Sequence, residues 1–414
     1  MWVTIAPNAS ALIPDRRKDQ FSTEEAWYAV PTPYSLPGLG SGFIFAGLYT
    51  NMGESHVDAL VAVMTGALTA KSVGLMDVHL IDETLVLNYF YSEIETITVN
   101  GYNGRGLDTA ADDYNIYQIG DGSGSGGQIS LKLAEQRLQF YYVGFTSSST
   151  LQSVKDKDSN VLFETDGAEA TTAKSKTTGA ILDLTDDWSD PRAGLRASFT
   201  RAGAEGLESD STAPEQYTED VNVTMYIPIG KQSVWLFNYY TSDAVVTKEG
   251  LTDRTTLRSL MFGDVDCTTS ADPTACESTI EQSLDDTVAA NQYGTSSSLG
   301  GPGRLRAFPF ARFRGAHTQF YGTEVRWNLT DEKTAFNFWL IKDVRTSIQL
   351  AAFHEQGSVA ETKEDLSLAH KTSTGLGFRL VTGSGLVWRM DVAHGEDGNA
   401  TQVIVSYPWG EPLF

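Results

Sequence analysis

The feature that most constrains this chain is a two-residue alternation of apolar and polar side chains, in segments of about nine to eleven residues. In the segment GLVWRMDVAH, Leu386, Trp388 and Met390 share one face. The charged Arg389 and Asp391 share the opposite face. Because successive side chains of a strand point to opposite faces, the alternation predicts β-strands. A tilted strand of this length is also long enough to cross a lipid bilayer.

Two all-β architectures are compatible with this alternation. In a soluble sandwich the apolar face is buried between two sheets, whereas in a membrane barrel it contacts lipid and the polar face lines the lumen. Short turns such as 229–232 alternate with long polar loops such as 243–303, which is typical of outer-membrane barrels. Aromatic residues stand where an interfacial girdle would lie. These residues are Trp327, Tyr407 and Trp409.

We therefore predict an all-β fold, a transmembrane antiparallel β-barrel over residues 41–414. The polar, proline-punctuated segment 1–40 is predicted to be periplasmic, and FSTEEAW within it is compatible with one short helix. An even number of strands is expected when both termini lie in the periplasm, so fourteen or sixteen strands are the candidates. The segment 57–66 is also strand-like. The alternation itself identifies fourteen strands, at 41–50, 70–79, 84–95, 127–134, 137–147, 178–185, 192–201, 219–228, 231–242, 317–329, 346–356, 371–381, 384–394 and 400–408.

Charge and cysteine content narrow the possible partners. The net charge of -23, from 30 basic and 53 acidic residues, argues against a nucleic-acid partner. The two cysteines, Cys267 and Cys276, lie in a polar loop, where one disulfide fits an oxidising compartment and two free thiols are the alternative. No stretch of 18 or more apolar residues indicates a membrane helix. The six histidines show no metal-binding spacing, so neither a metal nor a cofactor is predicted.

An arginine-rich stretch, RLRAFPFARFRGAHTQFYGTEVRWNLT at 304–330, stands out in this acidic chain. Together with SIQLAAFHEQGSVAE and GLGFRLVTGSGLVWRMDVAHG, it resembles the C-terminal barrel of the BamA/TamA/FhaC superfamily, the bacterial surface antigen barrels. The resemblance covers about residues 290–410. It implies a sixteen-stranded barrel of the bacterial outer membrane, with an external loop at 243–316 that contains an inward-folded lid.

The resemblance places the lid motif at Arg306, Ala307 and Phe308, where relatives have glycine in the middle position. If the family turn needs a positive φ there, alanine predicts a less tightly turned loop. In relatives the loop arginine reaches acidic residues on the next two strands, which correspond here to Glu324 and Glu355. Two inward carboxylates on adjacent strands repel each other unless a cation lies between them, and a guanidinium can serve both. The alternative interpretation is lumen charge without a defined partner.

Three functions remain open at this stage. The resemblance implies an insertase or translocase barrel that handles outer-membrane proteins or lipids, through a weak seam between the first and last strands and a lid loop. The other two are a plugged passive pore and a structural, partner-docking barrel. The partners expected for this protein are membrane lipids, including lipopolysaccharide, and other outer-membrane or periplasmic proteins. No pattern of catalytic residues indicates an enzyme.

Two features weigh against the insertase interpretation. Relatives carry periplasmic POTRA domains ahead of the barrel, and only about 40 residues precede the first predicted strand, fewer than one such domain needs. The chain is therefore expected to be a stand-alone member, which leaves the recognition of a client open. The last strand, ATQVIVSYPWG, has no glycine before its end, so the sequence does not indicate a frayed seam.

Overall fold

The computed structural model of this protein describes residues 17, 24–165, 170–205, 212–230, 233–330, 335–338, 341–382 and 387–409. The strands are β1 (Ala26–Leu36), β2 (Gly40–Thr50), β3 (Asp58–Gly66), β4 (Leu68–Ile81), β5 (Leu85–Tyr102), β6 (Tyr114–Leu133), β7 (Leu138–Lys155), β8 (Val161–Glu164), β9 (Thr171–Asp183), β10 (Gly194–Glu205), β11 (Glu215–Ile229), β12 (Ser233–Lys248), β13 (His317–Asn328), β14 (Ala335–Phe338), β15 (Ile341–Ala360), β16 (Lys371–Thr382), β17 (Val387–Gly395) and β18 (Gly398–Val405). The helices are α1 (Arg254–Phe262) and α2 (Pro273–Tyr293), with short 3-10 turns at Cys267–Thr269 and Glu364–Ser367.

Sixteen of these strands pair antiparallel around a closed barrel. The short β8 pairs with β7, and the short β14 pairs with β15. The sixteen-stranded barrel implied by the resemblance is confirmed, and the direct count of fourteen is too low. The count omitted β1 and β3. The barrel starts at Ala26, inside the range 1–40 that was predicted to precede it. The helix expected in FSTEEAW is not formed at Ala26 and Trp27, which belong to β1, and residues 21–23 lie outside the described part.

Closure of the barrel depends on a very short pairing between β1 and β18, and the start of β1 also pairs with the start of β15 at Trp27↔Lys342 and Tyr28↔Ile341. β1 pairs with β2 along its whole length, from Ala26↔Thr50 to Leu36↔Gly40. In the described residues, β1 and β18 share the single register pair Ser35↔Val403. Two prolines, at 31 and 33, lie in β1, and proline is tolerated mainly in strands with an incompletely paired edge. We call this junction the seam.

Side-chain exposure distinguishes the outward face of the barrel wall from its inward face. Outward positions on neighbouring strands are exposed and apolar, such as Phe45, Val61 and Leu376. Inward positions are polar and buried, such as Arg326 and Arg379. A sandwich would bury its apolar face, so this arrangement is that of a membrane barrel with a filled, polar lumen. Among the described helices, none is long and apolar enough to span a membrane.

The two ends of the barrel differ. Long connections such as 103–113 and 249–316 lie at one end, the loop end. Short turns such as 82–84 and 134–137 lie at the other, the turn end, where β1 starts and β18 ends. In the largest connection, a disulfide joins Cys267 to Cys276, which confirms that prediction. It covers a small apolar cluster formed with α1 and α2 by Leu257, Ile280 and Leu284.

The end of the chain departs from the predicted aromatic girdle. Trp327 is exposed on the outside of the barrel, as predicted. β18, however, stops at Val405, and Trp409 adopts a φ of 62° and is only 3% exposed. Tyr407 and Trp409 both lie inside the lumen, where they donate hydrogen bonds to Asp190 and Glu355 respectively. Their assignment to the outer surface is therefore wrong.

Candidate functional site

The candidate site is built by the lid loop, residues 294–316, which runs from α2 to β13 through the lumen. The loop folds back on itself by reciprocal backbone hydrogen bonds of 2.9 Å between Leu299 and Phe313. Gly300 makes the tight approach possible, because its φ is 104° and a Cβ there would lie 2.2 Å from the Pro309 carbonyl oxygen. Leu305 adopts a left-handed φ of 55° directly before the arginine of the motif.

Arg306, at the apex of the loop, is fully buried and contacts three carboxylates. Its backbone N–H and its Nε donate to the two oxygens of Glu355, each at 2.8 Å. Nη2 donates to Glu324 Oε2 at 3.0 Å, and Nη1 donates to Asp391 Oδ2 at 3.0 Å. These acids lie on β13, β15 and β17, so one guanidinium connects three barrel strands. The structure thus brings together Arg306, Glu324 and Glu355, and it adds Asp391.

Three further arginines surround these carboxylates. Arg379 binds both oxygens of Glu324, at 2.5 and 2.6 Å, and Arg326 Nε donates to the same carboxylate at 2.6 Å. Arg389 bonds Asp391 and the carbonyl oxygen of Pro302 in the lid loop. These contacts were not predicted, although the alternation places all three arginines on the inward face. The cluster holds four guanidiniums and three carboxylates, a formal net charge of +1, and we call it the arginine latch.

The middle residue of the motif is accommodated without strain. Ala307 is not among the residues with positive φ, so the expected conflict between alanine and the family turn does not arise. Its N–H donates to Ser373 Oγ at 2.9 Å. A Cβ on Gly395 would lie 2.8 Å from the Cβ of Ala307, so the loop backbone packs closely against β17. A larger side chain at 307 would push the lid away from the barrel wall.

Aromatic side chains fix the last motif residue and the loop tip. Phe308 is buried and packs edge-on against Phe313 with a centroid distance of 5.0 Å. Phe310 is 41% exposed, and its N–H donates to the carbonyl oxygen of Pro37, in the turn between β1 and β2, at 2.8 Å. The lid therefore contacts the first hairpin of the barrel, which also forms one side of the seam.

The other arginines of the lid loop have separate partners. Arg304 stacks on the Tyr240 ring at 3.4 Å. Arg312 Nε donates to Asp397 Oδ2 at 2.9 Å, and Arg314 Nη2 donates to Asp286 Oδ2 at 2.8 Å. Of the four arginines in the lid loop itself, only Arg306 enters the latch, so the arginine density of this loop reflects several independent anchors.

The tail segment, residues 406–409, forms the floor of the latch. Trp409 Nε1 donates to Glu355 Oε1 at 2.9 Å. Gln402 Nε2 donates to the carbonyl oxygen of Arg306 at 2.6 Å, and the carbonyl oxygen of Trp409 accepts from Asn222 Nδ2 at 3.0 Å. Trp409 thus binds the same carboxylate as the lid arginine. The latch as described is a network of buried ion pairs and charge-assisted hydrogen bonds.

A second polar layer fills the lumen nearer the turn end. Asp190, in the connection 184–193, accepts hydrogen bonds from Gln349 Nε2 at 2.9 Å and Tyr407 Oη at 2.7 Å. Arg17 is buried, and its Nη1 lies 3.0 Å from Asp183 Oδ2. The segment ahead of β1 therefore reaches the lumen wall at residue 17. The lid loop, the tail segment and the 184–193 connection together occupy the barrel interior.

The sequence matches no protein-family model and no curated protein. Among solved structures, it is similar to BamA from Haemophilus ducreyi lacking POTRA domains 1-3, with 12% identity and a TM-score of 0.46. CdiB from Escherichia coli is similar at 11% identity and a TM-score of 0.49, and CdiB from Acinetobacter baumannii at 10% and 0.48. The matches cover 93%, 92% and 92% of this chain, and 69%, 62% and 59% of those chains.

This chain resembles the barrels of BamA and CdiB. The resemblance is one of fold, and what the protein does has to be argued from its own residues.

Proposed function

We propose that this protein is an outer-membrane barrel that handles other outer-membrane proteins or lipids by opening its seam, while the arginine latch holds the lid across the lumen. One observation carries the proposal. β1 and β18 share the single described register pair Ser35↔Val403, whereas β17 and β18 are paired from Trp388↔Val405 to Gly395↔Gly398. Strand edges with unpaired N–H and C=O groups can template an incoming strand or perturb the bilayer beside them.

The latch supports this function because it keeps the interior rigid while the seam opens. The three carboxylates that bind Arg306 come from β13, β15 and β17, close to the seam on the C-terminal side. The backbone bond from Phe310 to Pro37 ties the same loop to the N-terminal side. A lid anchored to both sides at the loop end can act as a hinge there while the rest of the seam opens.

The orientation in the membrane is part of the proposal. We place the turn end and both termini in the periplasm, and the loop end outside, where the Cys267–Cys276 disulfide is favoured by an oxidising environment. The partners would then be membrane lipids, including lipopolysaccharide, and outer-membrane or periplasmic proteins.

Two alternatives have weaker support. A passive pore needs a continuous water path, but the described lumen contains the lid loop, the tail segment and the 184–193 connection. A docking barrel would use its external cap, where α1 and α2 are held together by exposed ion pairs such as Arg258–Glu281 at 2.9 Å. No surface feature of the cap identifies a partner.

The proposed function can be tested by cross-linking the seam. The purified protein is inserted into vesicles, and two rates are followed: the folding of a small unfolded outer-membrane barrel, and the transfer of a fluorescent lipid between leaflets. We expect the wild type to accelerate at least one process several-fold over empty vesicles. Ser35→Cys combined with Val403→Cys joins the one register pair of the seam and should return the rate to that of empty vesicles.

A matched cross-link separates the seam from general rigidity. Val392 and Thr401 form an outward-facing register pair between β17 and β18. Joining them by Val392→Cys and Thr401→Cys should leave the acceleration unchanged. If wild-type vesicles show neither assisted folding nor faster lipid transfer than empty ones, the proposed function is wrong.

A further inference from the structure

Two histidines and an aspartate meet at the turn end of the barrel, far from the latch. His56 lies in the connection 51–57, and Asp77 and His79 lie in β4. One ligand atom of each residue lies within 4.8 Å of those of the other two. His79 Nε2 is 3.4 Å from Asp77 Oδ1, and the two imidazole rings are stacked with centroids 4.3 Å apart.

His79 supplies the observation that points to a ligand. Its side chain is only 9% exposed, and its Nε2 atom is buried without a hydrogen-bond partner. A buried ring nitrogen that lacks a partner is costly in a folded protein. This nitrogen lies 3.4 Å from Asp77 Oδ1, so a cation held between the two atoms would satisfy it.

A local irregularity of the strand forms this arrangement. The pairing of β4 with β5 shifts its register between Leu75 and Val78, and Asp77 adopts a φ of 54° with its N–H donating to Asn88 Oδ1. Such bulges re-aim side chains at the rims of barrels. At this bulge the Asp77 carboxylate lies 3.4 Å from His79 Nε2.

We propose that His56, His79 and Asp77 bind a divalent transition-metal ion such as Zn²⁺ or Co²⁺. Imidazole nitrogens select these ions over Mg²⁺ and Ca²⁺, which prefer all-oxygen sites. Ligand atoms around a tetrahedral zinc lie about 3.3 Å apart, given bonds of about 2.0–2.1 Å. The pair His79 Nε2–Asp77 Oδ1 has this spacing, and the others need to close by at most about 1.5 Å.

Asp82 completes the environment of the site. A metal ion on His79 Nε2 requires the ring proton to be on Nδ1, and Asp82 Oδ1 lies 3.4 Å from that atom. Carboxylates commonly orient metal-binding histidines in this way. In the structure Nδ1 accepts a hydrogen bond from the Glu83 N–H at 3.1 Å, so metal binding exchanges this bond for one to Asp82. The fourth ligand would be water.

One group opposes the cation. Lys132 Nζ lies 3.0 Å from Asp77 Oδ1, and its ammonium competes with a metal ion for that carboxylate. Removing the charge of Lys132 should therefore tighten metal binding. This effect distinguishes a metal site from two histidine rings that only stack on each other. A bound ion would fasten the connection 51–57 to the end of β4.

The test uses the full chain, purified without a histidine tag and titrated with Co²⁺ while the visible absorption of the bound ion is recorded. We expect one saturable equivalent, displaced by Zn²⁺. Affinity should fall at least tenfold in His56→Ala and in His79→Ala. Lys132→Met should raise it several-fold. His370→Ala and His394→Ala, which remove exposed histidines at the loop end, should leave it unchanged.

A heat-induced shift of the barrel on a denaturing gel shows that each variant is folded, and His79→Gln replaces the alanine variant if the latter does not fold. The proposal is overturned by weak, unsaturable Co²⁺ binding in the wild type. It is also overturned by saturable binding that persists in both His56→Ala and the folded His79 variant.

Discussion

Arg306 illustrates why a lid inside a barrel depends on a guanidinium. Each of its carboxylate partners is at most 1% exposed, so these acids repel one another unless cations lie among them, and Arg306 is the latch guanidinium that contacts all three. Arginine offers five N–H donors in a planar arrangement and stays charged, whereas the ammonium of lysine is a compact point charge. The ring of Phe353, 3.4 Å from the guanidinium carbon, covers its face and leaves its edges to the acids.

Replacing Arg306 should therefore destabilise the barrel markedly. Arg306→Ala removes the guanidinium that Glu355 binds and leaves Glu324 and Asp391 with their other arginines, so we expect the free energy of unfolding to fall by about 3–5 kcal/mol. Urea unfolding in vesicles measures the loss. Arg258→Ala, which removes an exposed guanidinium from α1, should leave the free energy nearly unchanged.

Arg306→Lys tests the geometry of the latch. An ammonium keeps the charge but cannot reach Glu324, Glu355 and Asp391 together, so its stability should fall between those of the wild type and the alanine variant. Equal stability of the lysine variant and the wild type would show that charge alone holds the lid.

Part of the latch was predictable from the sequence. The alternation fixes Glu324 on the inward face, and the resemblance connects it with Glu355 and the loop arginine. Asp391 is also inward by the same alternation. A contact from a loop across the lumen, however, does not follow from strand periodicity, because that pattern says which face a residue occupies and not which residues meet across the interior.

At the scale of elements, the tail segment shows a limit of the same pattern. Tyr407 and Trp409 keep the parity of Val403 and Val405, so the alternation extends the outward face through them. The only local sign of a change is Pro408, which cannot donate to a strand ladder. What turns the segment inward is tertiary: Asp190 and Glu355 offer acceptors inside the lumen. β1 was missed because its two prolines are unusual in a strand. They are tolerated here because β1 is paired along its whole length only with β2.

The tail segment should contribute measurably to the latch. Trp409→Phe keeps an aromatic ring but removes the indole N–H that Glu355 accepts, and a hydrogen bond to a charged group is worth about 1.5–3 kcal/mol. We expect a loss of this size in urea unfolding. Trp327→Phe is the control, because this tryptophan is exposed on the outside of the barrel. Equal effects of the two substitutions would contradict the assigned role of Trp409.

The disulfide is expected to stabilise the cap without affecting the barrel. Cys267 and Cys276 close a short loop over the cluster between α1 and α2, and such a cross-link contributes about 2–3 kcal/mol in the chain-entropy description. Cys267→Ser with Cys276→Ser should make trypsin cleave at Arg254 or Arg258 much faster. The latch lies elsewhere in the chain, so the heat-induced gel shift of the barrel should remain. Loss of that shift would mean that the cap supports the barrel itself.

At the scale of the whole molecule, the described lumen is closed by elements from distant parts of the chain. The lid loop enters from the loop end, and the tail segment and the 184–193 connection enter from the turn end. They meet around Glu355 and Tyr407, so no single one of them is sufficient to explain the filled interior. The seam, in contrast, has the sparsest backbone pairing in the described barrel. This combination of a filled interior and a sparsely paired wall supports the proposed lateral opening over passage along the barrel axis.

Conductance across a planar bilayer separates these two routes. Wild-type protein should give small currents, because ions must pass three packed elements to cross the lumen. Arg306→Ala should increase both the size and the frequency of openings, since the lid loses its contacts with β13, β15 and β17. Arg254→Ala, in the cap helix α1, should leave the currents as they are. Cross-linking the seam through Ser35→Cys and Val403→Cys in the Arg306→Ala background should not reduce the currents, because the path freed by the lid runs along the lumen.

If the wild type passes large, steady currents, the lumen is open and the protein acts as a pore. If the seam cross-link removes the currents instead, ions pass through the wall, and the lid does not govern access.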